Sequence, residues 1–191
     1  MVYIFEGMDN CLKDTLILKL RGILSPETQV LKFSNPPKVS NKEEYQRKHF
    51  KDMFDMIALS ISSSTRNIIL NRAHLGEYVY AQVYRKYEAE WIFDLEEEFL
   101  AISPSHMSVV KLILLYDSNN NQLKKREDGK SLSEMNDDKL NDERKRFVEA
   151  FNKSRFHNKA EFDLSNYILK DEIDPAKEIE IEQIIQKILS V

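Results

Sequence analysis

Two hydrophobic periods alternate along this chain, and the switches between them mark its elements. Val2–Phe5 is a compact apolar run, the pattern of a strand buried on both faces. Leu16, Leu20, Ile23 and Leu24 then recur at helical spacing, and Gly22 followed by Ser25-Pro26 predicts the helix end there. Thr28–Phe33 is a short β-rich run closed by the turn-forming Ser34-Asn35-Pro36-Pro37. From Lys42 to Ser63 a long helix is predicted, with Phe50, Met53, Phe54, Ile57 and Ile61 on one side. Asn67–Leu70 is a third strand, followed by helices over about Gly76–Lys86 and Ala89–Leu100. Val109–Tyr116 is the most apolar run and the best candidate for a central strand.

From Asp117 to Ser133 the chain turns polar, a pattern that predicts a mobile flap at about 119–133. Leu140, Phe147 and Phe151 resume the helical spacing, Ala160–Leu164 is a weaker strand, and Ile181, Ile184, Ile185 and Ile188 predict a closing helix. Strands alternating with helices predict an α/β fold, with a parallel sheet of about five strands covered by helices on both faces. Ligands in such folds bind at the carboxyl ends of the strands. With 191 residues and no linker or repeat, residues 1–191 are expected to form one domain.

The chemistry gathers at those strand ends. After the first strand comes Gly7-Met8-Asp9-Asn10-Cys11-Leu12-Lys13-Asp14-Thr15. Its template is G-x-x-x-x-G-K-[ST], whose backbone N–H groups wrap a phosphate while the helix dipole and a lysine add positive potential. Gly7 and Lys13 keep the spacing, but Leu12 stands at the second glycine and Asp14 at the hydroxyl position, with Thr15 one residue later. Phe33 follows the second strand, Asn71-Arg72 the third, and Asp117 with the basic flap the fourth.

Composition narrows the partners. Hydrophobic residues are 42% and charged residues 31%, the balance of a soluble globular chain, and no apolar run reaches membrane length. No export signal is visible at the N-terminus, so the expected compartment is the cytoplasm. A net charge of −4 argues against a general nucleic-acid binder. Cys11 is the only cysteine, which excludes an internal disulfide and reads as loop filler. His49, His74, His106 and His157 lack metal-ligand spacing.

Phe5-Glu6-Gly7-x-Asp9 with Lys13 and Thr15, then Arg72-x-x-Leu75-x-x-x-x-Tyr80, then a basic flap ahead of a helix, form a recognisable series. The chain resembles the thymidylate kinases. More narrowly it resembles the thymidylate-kinase-like nucleotide kinases of bacteriophages, over nearly its whole length. The resemblance implies the three-layer P-loop NTPase sandwich with a short basic lid, and an enzyme that moves the ATP γ-phosphoryl to a deoxynucleoside monophosphate. It names dTMP as the leading acceptor, Mg2+ as the metal, and the cytoplasm, including that of a phage-infected host, as the place. It also allows a homodimer.

Residue by residue, the resemblance puts Gly7, Asn10, Leu12, Lys13, Asp14 and Thr15 around ATP, with Lys13 along the β- and γ-phosphates. It puts Asp9 and Arg72 on the acceptor sugar and phosphate, Phe33 against the base and Tyr80 beneath the sugar. Lys124, Lys125 and Arg126 match the lid, with Arg126 as its catalytic member. For Phe33 a core position, and for Tyr80 one face of an amphipathic helix, are the competing readings. Asn71 replaces the Asp of an Asp-Arg pair, so Asp14 and Thr15 together are expected to take the metal. Gly76 and Ala81 stand where the family has thymine-reading residues, which leaves other acceptors open. A decayed P-loop protein that binds nucleotide without turnover is the reading that Leu12 and Asn71 favour.

Overall fold

The computed structural model describes residues 1–33, 36–63, 66–102, 105–165 and 175–191, the side chains of 175–180 excepted. Ser34 and Asn35 of the expected turn lie outside them. Five parallel strands, β1 (Val2–Gly7), β2 (Gln29–Lys32), β3 (Ile68–Asn71), β4 (Val110–Tyr116) and β5 (Asn158–Asp163), form one sheet in the order β2-β3-β1-β4-β5. The expected α/β architecture is therefore the one observed.

Burial explains which strands were easy to read. β1, β3 and β4 hold the centre, and every residue of β1 and β3 is buried, whereas β2 and β5 are edge strands with half-exposed residues. An edge strand carries fewer apolar side chains, hence the weak signal at β5. Lys111 interrupts the apolar run of β4. It is buried, with Nζ 3.2 Å from the Ile188 carbonyl and 2.6 Å from that of Leu189. It thus ties the sheet to the last turn of a helix, where cations are favoured.

That helix is α8 (Pro175–Ser190), packed against α1 (Lys13–Ile23); α2 (Lys42–Ser63) packs against α4 (Trp91–Ile102), and α3 (His74–Tyr80) against α7 (Asp137–Lys153). A short α5 (Ser105–Val109) leads into β4. Phe5, Met8, Phe99, Phe147 and Phe156 fill the core between these layers.

Two stretches differ from the sequence expectation. The helix expected to start near Gly76 starts at His74, because the buried Glu6 carboxylate accepts from the amides of Ala73 (3.1 Å) and Leu75 (2.8 Å). A tertiary contact thus supplies the cap that the local sequence lacks. That helix then widens into a π-helical turn over Ala81–Arg85, ended by Lys86 in the left-handed region (φ 64°). Within the expected flap, Asn120–Lys125 is α6, capped by the Asn119 side chain and anchored by the buried Leu123. Among the described residues no helix is long and apolar enough to cross a membrane.

Candidate phosphate and acceptor site

The carboxyl ends of β2 and β3 and the loop after β1 converge on a cavity of about 540 Å³. Asp9 to Thr15, Phe33, Arg72 and Arg126 line it, whereas Gly7, Tyr80, Lys124 and Lys125, also singled out from the sequence, do not. Gly7 and Tyr80 line a smaller cavity of about 40 Å³, joined to the first through Phe33 and Arg72, which line both.

Gly7 has no substitute. It sits at φ 133°, and a Cβ there would lie 1.8 Å from the Leu115 carbonyl oxygen of the neighbouring strand. Beyond it the loop takes the left-handed conformation twice, at Asn10 (φ 61°) and at Leu12 (φ 52°). Asn tolerates this region; Leu does not, and holding it there costs roughly 1–2 kcal/mol. The Leu12 side chain packs against the core and offsets part of that cost. Replacing Leu12 by Gly is expected to leave the thermal midpoint within a few degrees of the parent, relief of the strain offsetting the added freedom of the unfolded chain. A melting curve checks this.

Lys13 is 6% exposed, and its ammonium donates to the carbonyls of Gly7 (2.9 Å) and Met8. Burial is the main force lowering its pKa, and the nearby Arg72 adds to it. Cys11 beside it is also buried, which pushes its thiol up to about 12 and removes it as a nucleophile.

Arg72 also stands at positive φ (69°), immediately after β3. Its guanidinium pairs with Asp9 Oδ1. The other oxygen of Asp9 accepts from the backbone amides of Leu132 (2.8 Å) and Ser133 (3.4 Å). One carboxylate therefore links the Gly7–Thr15 loop, the end of β3 and the backbone at Leu132 and Ser133. Arg126 reaches the loop from the lid, donating to the Asn10 carbonyl (3.2 Å) and to Asp117 (2.8 Å). The Asn10 side chain in turn donates to Glu127 (2.9 Å) and Ser131 (3.2 Å).

Of the basic run only Arg126 lines the cavity; Lys124 is paired with Asp137 at 2.8 Å. Lys32 and Lys130 also line it, and neither stood out from the sequence. Five cations face three carboxylates in that lining, so an acidic chain presents a locally positive site. Asp14 receives a hydrogen bond from Asn71 and pairs with Lys32 at 3.4 Å. These donors hold its carboxyl below the usual carboxylate range against partial burial.

In the smaller cavity Tyr80 is 5% exposed, and burial raises its phenol well above the ordinary value. Its hydroxyl is without a hydrogen-bond partner among the described residues. Phe33 is half-buried, 5.2 Å from the ring of His49 and 6.3 Å from that of Phe50, so its core and site roles are not exclusive. Gln46, Glu77 and Arg85 line this cavity too. No local motif marks them, since they come from α2, α3 and the π turn.

Known structures place this geometry. A YorR protein from Bacillus subtilis, in complex with phosphorylated GDP, superposes with a TM-score of 0.63 at 18% identity, covering 97% of this chain and 94% of that one. Thymidylate kinase from Candida albicans gives 0.55 at 14% identity, covering 99% and 89%. Polyphosphate kinase 2 from Arthrobacter aurescens gives 0.56 at 13%, covering 99% of this chain and 65% of that chain. No family model and no curated protein matches the sequence. The chain has the parallel α/β fold of the P-loop kinases, and at such identities the likeness is one of fold.

Proposed function

We propose that the protein transfers the γ-phosphoryl group of ATP to a deoxynucleoside monophosphate, with dTMP as the leading acceptor. The observation that carries this reading is the meeting of the loop after β1, Arg72 and Arg126 around one cavity that shares Phe33 and Arg72 with a second, aromatic-lined one. The larger cavity has room for a triphosphate, and the acceptor is proposed to lie toward the smaller one. The kinase fold of the structural neighbours supports the same assignment.

In the reaction an oxygen of the acceptor phosphate bonds to the γ-phosphorus, the bond to the β-bridging oxygen breaks, and ADP leaves. The acceptor phosphate is largely ionised at neutral pH, so no general base is needed. Catalysis falls to alignment and charge neutralisation. Lys13 leaves the Gly7 and Met8 carbonyls to lie along the β- and γ-phosphates. Arg72 offers a planar fork to the acceptor phosphate, and Asp9 fixes that fork. Arg126, at the loop already, adds charge at the transferring group. Tyr80 packs under the sugar.

Asp14 and Thr15 carry the oxygen donors suited to Mg2+, a hard cation held by one or two protein ligands together with phosphate oxygens. Bound there with ATP, Mg2+ would neutralise the β- and γ-oxygens. Asp14→Ala is expected to raise the Mg2+ concentration for half-maximal rate about tenfold, read from a metal titration at fixed ATP. An unchanged titration would remove Asp14 from the metal role.

A coupled assay of ADP release with each common deoxynucleoside monophosphate tests the function as a whole. The left-handed Leu12 and the ammonium of Lys13 held by loop carbonyls favour one other reading, a nucleotide-binding protein without turnover. Nucleotide binding with no ADP released by any acceptor would establish it.

A further inference from the structure

Asp117, the first residue after β4, is 0% exposed, and phosphoryl transfer as proposed gives it no task. An ionised carboxylate in such a place is costly unless it is paired and hydrogen-bonded, so what it holds carries information. Both of its oxygens are engaged. Oδ1 accepts from the Asn119 amide at 2.8 Å, which shapes the turn into α6, and Oδ2 accepts from Arg126 Nη1 at 2.8 Å. Its backbone is fixed as well, since the Asp117 carbonyl accepts from Arg144 Nε of α7 at 3.0 Å.

Arg126 is steadied from other sides too. Nη1 donates to the Asn10 carbonyl at 3.2 Å, and Nη2 donates to Gln122 Oε1 at 2.6 Å. Gln122 is in turn tied through Nε2 to the Ser165 carbonyl. The Arg126 side chain is only 10% exposed although it lines the larger cavity. The thiol of Cys11 feels both the Asp117 and the Arg126 charge, which sets the pair beside the Gly7–Thr15 loop.

A long cationic side chain on a surface segment samples many rotamers, and ordering it on a ligand costs entropy at every turnover. In this fold the ordering precedes the ligand. A guanidinium carries five N–H groups in one plane, so the bond to Oδ2 fixes the direction of the whole fork. A charge fixed ahead of reaction stabilises developing negative charge without reorganising.

We propose that Asp117 is a positioning residue of this site, acting through Arg126: it holds the guanidinium at the mouth of the Gly7–Thr15 loop before nucleotide arrives. The proposal rests on the kinase reading above. Asp117→Asn separates its two duties. The carboxamide keeps the shape and one oxygen, enough for the Asn119 amide, and turns an NH2 donor toward Arg126, where two donors cannot bond.

The test is a double-mutant cycle on ADP release, with saturating ATP and the deoxynucleoside monophosphate that turns over fastest in the coupled assay. Asp117→Asn is expected to lower kcat about 10- to 30-fold with the acceptor KM within about threefold, and Arg126→Met to lower kcat about 100-fold. The double variant should stay within about threefold of Arg126→Met, because nothing remains for Asp117 to position. A carboxylate that serves the fold alone gives losses that multiply, to about 1,000-fold or more. Multiplying losses, an unchanged kcat in Asp117→Asn, or an effect confined to KM would overturn the proposal.

A measurement on the unaltered, ligand-free chain keeps the question open to refutation if a variant misfolds. In nitrogen-15 NMR the Arg126 guanidinium, assigned by its loss in Arg126→Lys, should show separate Nη1 and Nη2 signals, as a fork held against rotation does. One averaged signal would overturn the proposal. If no acceptor yields ADP, the kinase reading fails by itself. The same cycle is then read on ATP affinity by calorimetry, losses that do not multiply supporting the role of Asp117 and multiplying ones overturning it.

Discussion

Lys13→Met is expected to lower the turnover number about a thousandfold while moving the thermal midpoint by no more than a few degrees. The two effects part because the ammonium has different surroundings in each state. In the ligand-free protein it is buried on two carbonyls, a position whose desolvation cost is written in its lowered pKa. Met keeps the length and apolar stem, removes that cost, and loses only the two hydrogen bonds, so stability nearly balances. In the proposed phosphoryl transfer the same charge would face phosphate oxygens, and losing one such preorganised group typically costs 10²- to 10³-fold or more. Single-turnover rates and calorimetric melting of the same preparation check the pair of outcomes. A midpoint falling together with the rate would instead make Lys13 a structural residue of the loop.

Arg72→Ala is expected to do the reverse, costing both function and stability. Asp9 is 2% exposed at its side chain, and the guanidinium is the cation paired with it. Breaking a buried pair costs about 3–5 kcal/mol, but Arg72 is a third exposed and Asp9 keeps the Leu132 and Ser133 amides. About 2 kcal/mol is therefore the expected loss, measured by urea unfolding. The KM for the acceptor should rise about 100-fold or more, since a phosphate loses a bidentate donor. Arg72→Lys should restore most of the stability and little of the acceptor affinity, because the ammonium keeps the charge but not the planar fork. Full recovery of affinity by Lys would refute the bidentate grip.

The pH dependence of the first property follows from the same residue. Lys13 has its pKa lowered in the fold, so the folded state binds that proton less well than the unfolded chain does. Its contribution therefore destabilises the fold at pH values below the folded pKa and fades as pH rises toward the unfolded value, near 10.5. Lys13→Met should abolish that component of the stability profile, whose sign is opposite to that of an ordinary salt-bridged lysine.

Several parts of the site could be read before any coordinates. Gly7 and Arg72 each follow an apolar run, Lys13 closes the loop that Gly7 opens, and the ends of parallel strands lie side by side by construction. The strain at Leu12 was also legible, since the loop template calls for a residue without a Cβ there and the structure puts Leu12 at φ 52°. The basic run was legible as a run but not in detail. Lys124 and Arg126 are two residues apart on α6 and its cap, so they diverge around the helix, one to Asp137 and the other to the phosphate loop.

Periodicity reports how each residue is buried within its own element, and for this chain that was enough to determine the order of strands and helices and the strand ends at which the candidate site lies. It says nothing of partners far apart in the chain. The bond from Asn10 to Glu127 spans 117 residues, that from Asp9 to Leu132 spans 123, and that from Gln46 to Glu77 spans 31. Such contacts exist only once the strand order β2-β3-β1-β4-β5 has set α2, α3 and the lid around one opening. The tertiary structure alone decided that Glu6 caps α3, that Asp9 joins the Gly7–Thr15 loop to Leu132 and Ser133, and that Gln46 bonds Glu77 beside the smaller cavity. Each of these depends on charges and hydrogen bonds made through space, for which the linear pattern of apolar residues carries no code.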